Sequence, residues 1–382
     1  MTAVATALAV LAICSIGYCA LVLVASWRYR QVPRVALPAA WPRVSVLKPL
    51  AGVDEGLEDN LASFFAQAYP AFEILCAVGG ANDPAVAVVE RVRRAFPEVS
   101  SHLLVVGEPP YPSPKVHSIA RLEAIATGDL LVISDSDVRV PPTLLHSLAA
   151  ELSAPGVGLS TCASRVVPGR SVWARVEALG LNTEFVGGVL VARLIEGMRF
   201  ALGPIMAVRR EVVRQIGGLD VLGAYHADDF RLGQLVAAAG WQVCLSAAIV
   251  EHRIDAPGVR ESLRHRLRWA RSTRCSRPWG YVGQVFTYPV PVALLLWAVR
   301  PAWWPLAVAA LVVRAAAAWA TAGSVLHDPL TRRWWPLLPL QDVVSAACWI
   351  GGFFGRDMTW RGHRYRFLAD GRVERIAAAM SE

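Results

Sequence analysis

Charge is scarce in this chain. Asp, Glu, Lys and Arg make up 18% of its 382 residues, against roughly 25% in an ordinary soluble domain. Hydrophobic residues make up 55%. That balance excludes an intrinsically disordered chain and argues against a purely soluble one. Cysteine is also sparse: Cys14, Cys19, Cys76, Cys162, Cys244, Cys275 and Cys348 are scattered, odd in number and without a CxxC pair. A disulfide framework and a zinc site are thereby excluded, and a reduced compartment is expected for the soluble part. No GxGxxG or GxxxxGK[ST] follows the first β-rich run, which counts against a dinucleotide-binding fold and a P-loop. The N-terminal apolar stretch lacks the basic leader and small-residue cleavage site of a secretory signal, so a retained anchor is expected. What charge there is sums to +8, with a pI near 9.4. A chain so basic and apolar calls for an anionic membrane surface, an anionic substrate, or both; nucleic acid is not expected.

Long apolar runs stand at both ends. Residues 1–27 carry no charge and exceed the ~20 residues that span a bilayer. Arg28, Arg30 and Arg34 follow, and by the positive-inside rule they place the next segment in the cytoplasm. Residues 35–280 have the charge density of a globular domain. Membrane character returns over 281–355. Gly280 to Val299 is uncharged, Ala302 to Val325 is apolar except for Arg314, and Trp334 to Gly355 is apolar except for Asp342. Three C-terminal membrane segments are expected, the last broken by Pro336 and Pro339 and re-entrant. Arg314 and Asp342 are costly at membrane depth, so they are expected to pair; the alternative is that each snorkels to an interface. The basic tail, 356–382, is expected on the cytoplasmic surface. Within the globular part, Val172 to Phe200 is interrupted by Glu184, Arg193, Glu196 and Arg199. It is expected to lie in the interface over 172–200, or else to be a core helix.

The domain itself alternates β-rich and helical patterns. Val44–Leu50, Phe72–Gly79, "HLLVVG" and Asp129–Asp137 read as strands; "DEGLEDNLASFFAQ", "DPAVAVVERVRRAF" and "HSIARLEAIA" read as helices, the second capped by Asp83. The rhythm implies an α/β fold with a mostly parallel sheet and helices on both faces. Ligands of such sheets bind at the carboxyl ends of the strands.

The polar residues of interest fall at those ends. Asp135 and Asp137 stand two apart after an apolar strand, so in extended backbone they face the same side. Two such carboxylates suit a hard divalent cation, Mg²⁺ or Mn²⁺, able to neutralise a diphosphate leaving group; the bland alternative is a solvated turn. Asp228 and Asp229, roughly 90 residues downstream, open a helical pattern after His226. They read as caps, or as the source of a general base for an acceptor hydroxyl. The basic stretch Leu263–Arg274 contains Arg268 and Trp269. It reads as a stripe for lipid headgroups, or as the place where Arg268 meets a diphosphate. Lys48 and Lys115 read as phosphate contacts or as surface lysines.

Taken together in order, "VSVLKPLAGVDEGLEDNLASFFAQAYPAFEILCAVGGANDPA", "SPKVHSIA", "ISDSDVRVPP", "ADDF", "LRWARSTR" and "WRGHRYRF" resemble the membrane-anchored glycosyltransferases of GT-A (Rossmann-like) fold. The likeness is to the ceramide glucosyltransferase group and its bacterial relatives of hopanoid biosynthesis, and it covers nearly the whole chain. The resemblance implies an inverting transfer of glucose or N-acetylglucosamine from a UDP-sugar to a membrane lipid hydroxyl, of ceramide or bacteriohopanetetrol. It also implies a bacterial inner-membrane location with the catalytic domain on the cytoplasmic side. By position, Asp83 would contact the nucleoside, Lys115 would lie near the nucleotide, Asp135 and Asp137 would hold the cation and diphosphate, and Asp229 would be the base. Asp228 stands where the family usually has Glu. Arg268 and Trp269 match the end of the family's (Q/R)xxRW box, whose first position here is His265, flanked by Arg264 and Arg266. A processive polysaccharide synthase of the same fold is the alternative, against which the imperfect box and the few membrane segments speak.

Overall fold

A computed structural model describes residues 2–32, 35, 37–38, 40–360 and 363–376. Met1 of the anchor, Arg34, Arg361 of the "WRGHRYRF" motif and residues 377–382 of the tail lie outside the described residues. The chain forms two compact units. One gathers Met1–Val32, Arg165–Gly197 and Ile254–Met358; the other gathers Pro33–Ser164, Met198–Arg253 and Thr359–Glu382.

The second unit is built on a mixed α/β sheet. Its strands are β1 (Val44–Pro49), β2 (Phe72–Val78), β3 (Ser100–Val105), β4 (Leu130–Ser134), β5 (Val138–Arg139), β6 (Val157–Pro168), β7 (Ile205–Arg209) and β8 (Gln242–Ile254), in the order β3-β2-β1-β4-β7-β6-β8-β5. The half made of β3, β2, β1 and β4 is parallel; β7 pairs antiparallel with β4 and β6, and β5 antiparallel with β8. The parallel half is buried on both faces, as its unbroken apolar runs require. Val44, Val46, Ile74, Cys76, Leu130 and Val132 pack into one layer with the helices Leu57–Phe65, Ala85–Ala95 and Leu144–Ser153. Their alternates Leu47, Leu75, Ala77, Leu131 and Ile133 pack into the other with the helices Pro114–Ile125 and Asp228–Ala238. This two-residue alternation makes a three-layer sandwich. Its strands and first helices fall where the sequence places them, within a few residues.

A second, three-stranded sheet ends the chain: β9 (Asp357–Trp360), β10 (His363–Phe367) and β11 (Val373–Ile376), in the order β11-β10-β9. The basic tail is thus folded as antiparallel β structure, with Tyr365, Phe367 and Val373 buried and Arg364 and Arg366 exposed on alternate positions.

The first unit is helical. Among the described residues three helices are long and apolar enough to cross a membrane: Ala3–Arg30, Val172–Glu196 and Pro301–Val325. A fourth candidate is the pair Pro278–Thr287 and Pro289–Val299, bent by 60°. Val172–Glu196 runs unbroken through its charged residues, where an interfacial segment is expected from sequence; a π-helical turn, Leu181–Phe185, lies in its middle. The third expected C-terminal segment is a helix of 15 residues, Leu338–Gly352, about 22 Å long at 1.5 Å per residue and short of the ~30 Å hydrocarbon core. Arg314 and Asp342 are both buried and pair as expected. Arg314 Nε and Nη2 donate to the Asp342 carboxylate at 2.9 Å, and Nη2 also donates to Thr183 Oγ1 at 2.9 Å. The basic helix Val259–Ser276 spends several of its charges internally. Arg271 donates to the carbonyls of Phe354 and Asp357, and Arg274 to those of Phe353 and Gly355, all just past the last helix. Those guanidinium groups bind carbonyls of the turn that follows the helix, where their charge opposes its dipole.

Candidate active site

The sheet delivers its polar residues at the carboxyl ends of β1, β2 and β4. At the end of β1, Lys48 is fully buried, with its ammonium 4.1 Å from the Phe64 ring centroid. It donates to Ser134 Oγ at 3.1 Å and to the Asp135 carbonyl. Lys48 is therefore neither a surface lysine nor positioned by exposure to take phosphate. It ties the end of β4 to β1. Burial lowers its pKa to about 8 against the pull of Asp135.

Beyond β2, both oxygens of Asp83 accept from the amide of Gly52, at 3.0 and 3.1 Å, and Oδ1 also accepts from Ala85 N at 2.9 Å. The helix itself begins at Ala85, one residue later than a cap at Asp83 would place it. Gly52 has a φ of +72°, a conformation natural to glycine. The same loop reaches the end of β4, where Asp54 Oδ2 accepts from Ser136 Oγ at 2.5 Å. Asn60 Nδ2 donates to the Ser136 carbonyl at 3.2 Å. The middle residue of the Asp135-Ser136-Asp137 turn is thus clamped, leaving its two carboxylates on the other side.

Lys115, in the first turn of the helix Pro114–Ile125, joins the two acidic motifs. Its Nζ lies 2.8 Å from Asp135 Oδ1 and 3.1 Å from Asp228 Oδ2. Burial pulls the ammonium down, but Asp135 and Asp228 outweigh it and hold the pKa above the ordinary lysine value. Asp229 is next to this group, its Oδ1 accepting from Phe230 N at 2.7 Å at the start of Asp228–Ala238. Burial and the neighbouring Asp228 raise the Asp229 pKa to about 6, against Lys115. Burial also raises Asp228, against the same lysine. A Cβ added at Gly203 would lie 3.3 Å from Asp229 Oδ2 and 3.5 Å from Asp135 Oδ2, so both acids turn toward the bare face of one glycine.

Asp137 is set by a strand pairing that only the fold reveals. β5 lies antiparallel to β8 with Val138 opposite His252, and His252 Nε2 lies 3.3 Å from Asp137 Oδ2. Burial would raise the Asp137 pKa, but His252 and Lys48 together hold it below the usual carboxylate value. Asp137 Oδ1 is buried and meets no hydrogen-bond partner among the described residues. Among the described residues no group of three or more His, Cys, Asp or Glu side chains forms a closed metal cage. The arrangement suits a cation held through one or two carboxylates, with phosphate and water completing its shell. A carboxylate oriented by an imidazole is a common partner for such an ion. Asp135 and Asp137 fit that role.

The remaining expected residues lie in the helical unit, on Val259–Ser276. His265 Nδ1 contacts Glu177 Oε1, and Ser262 Oγ donates to the other Glu177 oxygen at 2.6 Å. The Trp269 ring stands edge-on to His265 at 5.2 Å and to Phe185 at 5.9 Å. Arg268 is half-buried on the same helix. Arg266, beside His265, donates to Gln341 Oε1 at 2.8 Å and Ser345 Oγ at 3.0 Å. The first box position is therefore a histidine engaged with a buried glutamate.

Sequence reasoning missed His252 and Gly203. The signal for His252 is "VEHRI", a histidine near the end of the last long strand; for Gly203 it is "ALGP", a glycine between two apolar stretches.

Acids converging on the carboxyl ends of a half-parallel α/β sheet define a GT-A glycosyltransferase domain. The chain belongs to glycosyl transferase family 21, whose model matches residues 7–373. It is 27% identical over 223 residues to ceramide glucosyltransferase 1 of Caenorhabditis elegans, covering 57% of this chain and 47% of that one. It is 33% identical over 144 residues to a ceramide glucosyltransferase of Komagataella phaffii, covering 35% of this chain and 28% of that one. The chain thus spans about half or less of the length of these relatives. Among solved structures it is similar to the mannosyltransferase PcManGT from Pyrobaculum calidifontis, solved with GDP-Man and Mn²⁺. That likeness has a TM-score of 0.55 at 20% identity and covers 92% of this chain and 98% of the other; it establishes the fold.

Proposed function

We propose that this protein is an inverting glycosyltransferase that moves one sugar, glucose or N-acetylglucosamine, from a UDP-sugar to the hydroxyl of a membrane lipid, ceramide or a hopanoid polyol. The observation that carries the reading is the half-buried group Lys115, Asp135, Asp228 and Asp229 at the carboxyl ends of the sheet. The ceramide glucosyltransferase relatives and the membrane-length helices support a lipid acceptor.

Asp229 takes the proton of the acceptor hydroxyl. A carboxylate whose pKa is about 6 is a stronger base than an ordinary one and is still ionised at neutral pH. The oxygen so activated attacks the anomeric carbon from the face opposite the leaving group, which inverts it. Lys115 holds Asp135 and Asp228 at fixed distance, so the site needs little rearrangement when the donor arrives. Asp83 braces the crevice between β1 and β2 through Gly52, and its spare lone pairs face the nucleoside. Asp135 and Asp137 would hold the Mg²⁺ or Mn²⁺ ion, which when bound offsets the charge of the departing diphosphate. Arg268 and Trp269 serve the diphosphate and the acceptor, with His265 set by Glu177. The domain acts from the cytoplasmic side of a bacterial inner membrane.

The test is reconstitution of the full chain in lipid nanodiscs with UDP-glucose or UDP-N-acetylglucosamine against ceramide or bacteriohopanetetrol. A single β-linked sugar on one of the lipids is expected, lost in Asp229→Asn with donor binding retained. A polymeric product would favour the polysaccharide synthase. No transfer with any pair, or near-normal turnover by Asp229→Asn, would overturn the reading.

A further inference from the structure

The segment that leads into the two acids, Leu219–Ala227, is held from two sides. On one side stands the loop before Lys115. Ser113 N donates to the Gly223 carbonyl at 3.2 Å, and Tyr111 Oη donates to Asp220 Oδ1 at 2.6 Å. A Cβ at Gly223 would fall 2.5 Å from Tyr111 Cδ2, so the approach requires glycine there. On the other side stands the C-terminal sheet. Val373 N donates to the Ala224 carbonyl at 2.8 Å, and Tyr225 forms an antiparallel bridge with Arg372. The next residue, His226, places its ring edge-on to two aromatic rings of that sheet, Trp360 at 5.4 Å and Phe367 at 5.6 Å. Two residues later come Asp228 and Asp229.

We propose that the C-terminal sheet is a positioning element of the active site: it adds a strand edge and an aromatic clasp to the backbone of Ala224–His226 and so fixes Asp228 and Asp229 against Lys115 and Asp135. Three short strands have little core of their own and are marginal without a partner surface. Here the buried side chains Tyr365, Phe367 and Val373 and the backbone of the acid-bearing loop supply it. His226, Trp360 and Phe367 are positioning residues; they act through the acids. The loop has no regular secondary structure from Gly223 to Ala227 apart from this bridge, so over Ala224–His226 the clasp adds the restraint that the Ser113 and Tyr111 contacts supply at Gly223 and Asp220. The inference rests on the transferase reading for its kinetic arm only.

The experiment uses the full chain in nanodiscs, with Trp360→Ala, His226→Ala and His226→Phe. Displacing a catalytic group by about 1 Å costs on the order of 100-fold in rate. Trp360→Ala and His226→Ala should therefore lower kcat by about 10- to 100-fold while KM for the donor stays within about twofold, since Asp83, Asp137 and His252 are untouched. His226→Phe, which keeps a ring between Trp360 and Phe367, should hold kcat near that of the parent. Amide hydrogen exchange across 224–230 should speed up in the two alanine variants and not in His226→Phe, a readout that needs no turnover. Unchanged kcat and unchanged exchange in Trp360→Ala would overturn the proposal. So would His226→Phe as defective as His226→Ala, because the imidazole would then be acting by its chemistry. Should Trp360→Ala fail to fold, Trp360→Phe and the His226 pair carry the same comparison. If the parent protein transfers no sugar, the transferase reading falls, and the exchange data still decide whether the sheet restrains the loop.

Discussion

Lys115 opposes the burial that raises Asp228 and Asp229. Its ammonium lies 2.8 Å from Asp135 and 3.1 Å from Asp228, and it lowers the pKa of Asp229, which burial and Asp228 raise to about 6. The base must be deprotonated to work, so kcat/KM should rise with pH through about 6. Removing the like charge with Asp228→Asn should move that acid limb to lower pH. Removing the positive charge with Lys115→Met should move it higher. A pH-rate profile that stays put in both variants would show that the limb belongs to another group. Lys48 offers a second residue-scale test. Lys48→Met keeps the packing against Phe64, leaves Ser134 Oγ without its donor and leaves the Asp135 carbonyl with Ser134 Oγ alone, at 3.2 Å. It should cost about 1–3 kcal/mol, read as a lower midpoint in denaturant. Residues of this kind were partly legible. Asp135, Asp137, Asp228 and Asp229 stand out in sequence as acids after an apolar strand and at a helix start, though turns and caps use the same residues. Lys48 does not, because nothing local distinguishes a lysine buried by two other elements from one at a surface.

Elements divide in the same way. β1, β2 and β4 are visible in the sequence because a parallel strand buried on both faces needs an unbroken apolar run. β5 is two residues long and gains its meaning from β8, more than a hundred positions away, which is why His252 beside Asp137 is not foreseeable. The tail hides its β structure behind arginines on alternate positions, which read as a solvated basic stretch until Tyr365 and Phe367 are seen to point inward. Val172–Glu196 is helical, as both the interfacial and the core reading require, and Glu184 within it accepts from Gln341 Nε2 at 3.0 Å. The Arg314–Asp342 pair links two helices of that same unit. Arg314→Ala would leave a buried carboxylate alone and should cost about 3–5 kcal/mol. The exchanged pair, Arg314→Asp with Asp342→Arg, should recover part of that loss. Thermal unfolding in detergent reads both, and a loss in the exchanged variant equal to the sum of the Arg314→Asp and Asp342→Arg losses would show that the pairing contributes nothing.

At the scale of the whole molecule, composition marks the division of labour only faintly. Charged residues are only somewhat thinner in the helical unit, which carries the membrane-length apolar helices, than in the α/β unit. Each unit is assembled from three separate stretches of chain, an interleaving that periodicity within a window does not reveal. The proposed cation ligands, Asp135 and Asp137, both lie within the α/β unit. Chelation with EDTA should weaken donor binding in the parent and have no further effect in Asp135→Ala with Asp137→Ala. Equal donor affinity with and without chelator in the parent would remove the cation from the reaction.

Gly203 gives the pocket a property of its own. Its bare face leaves Asp229 Oδ2 and Asp135 Oδ2 free to turn toward it. A methyl there, as in Gly203→Ala, would meet those oxygens at 3.3 and 3.5 Å, so Asp229 would have to give by a few tenths of an ångström while its charge stayed. Comparing that variant with Asp229→Asn would separate what the chemistry owes to shape from what it owes to basicity.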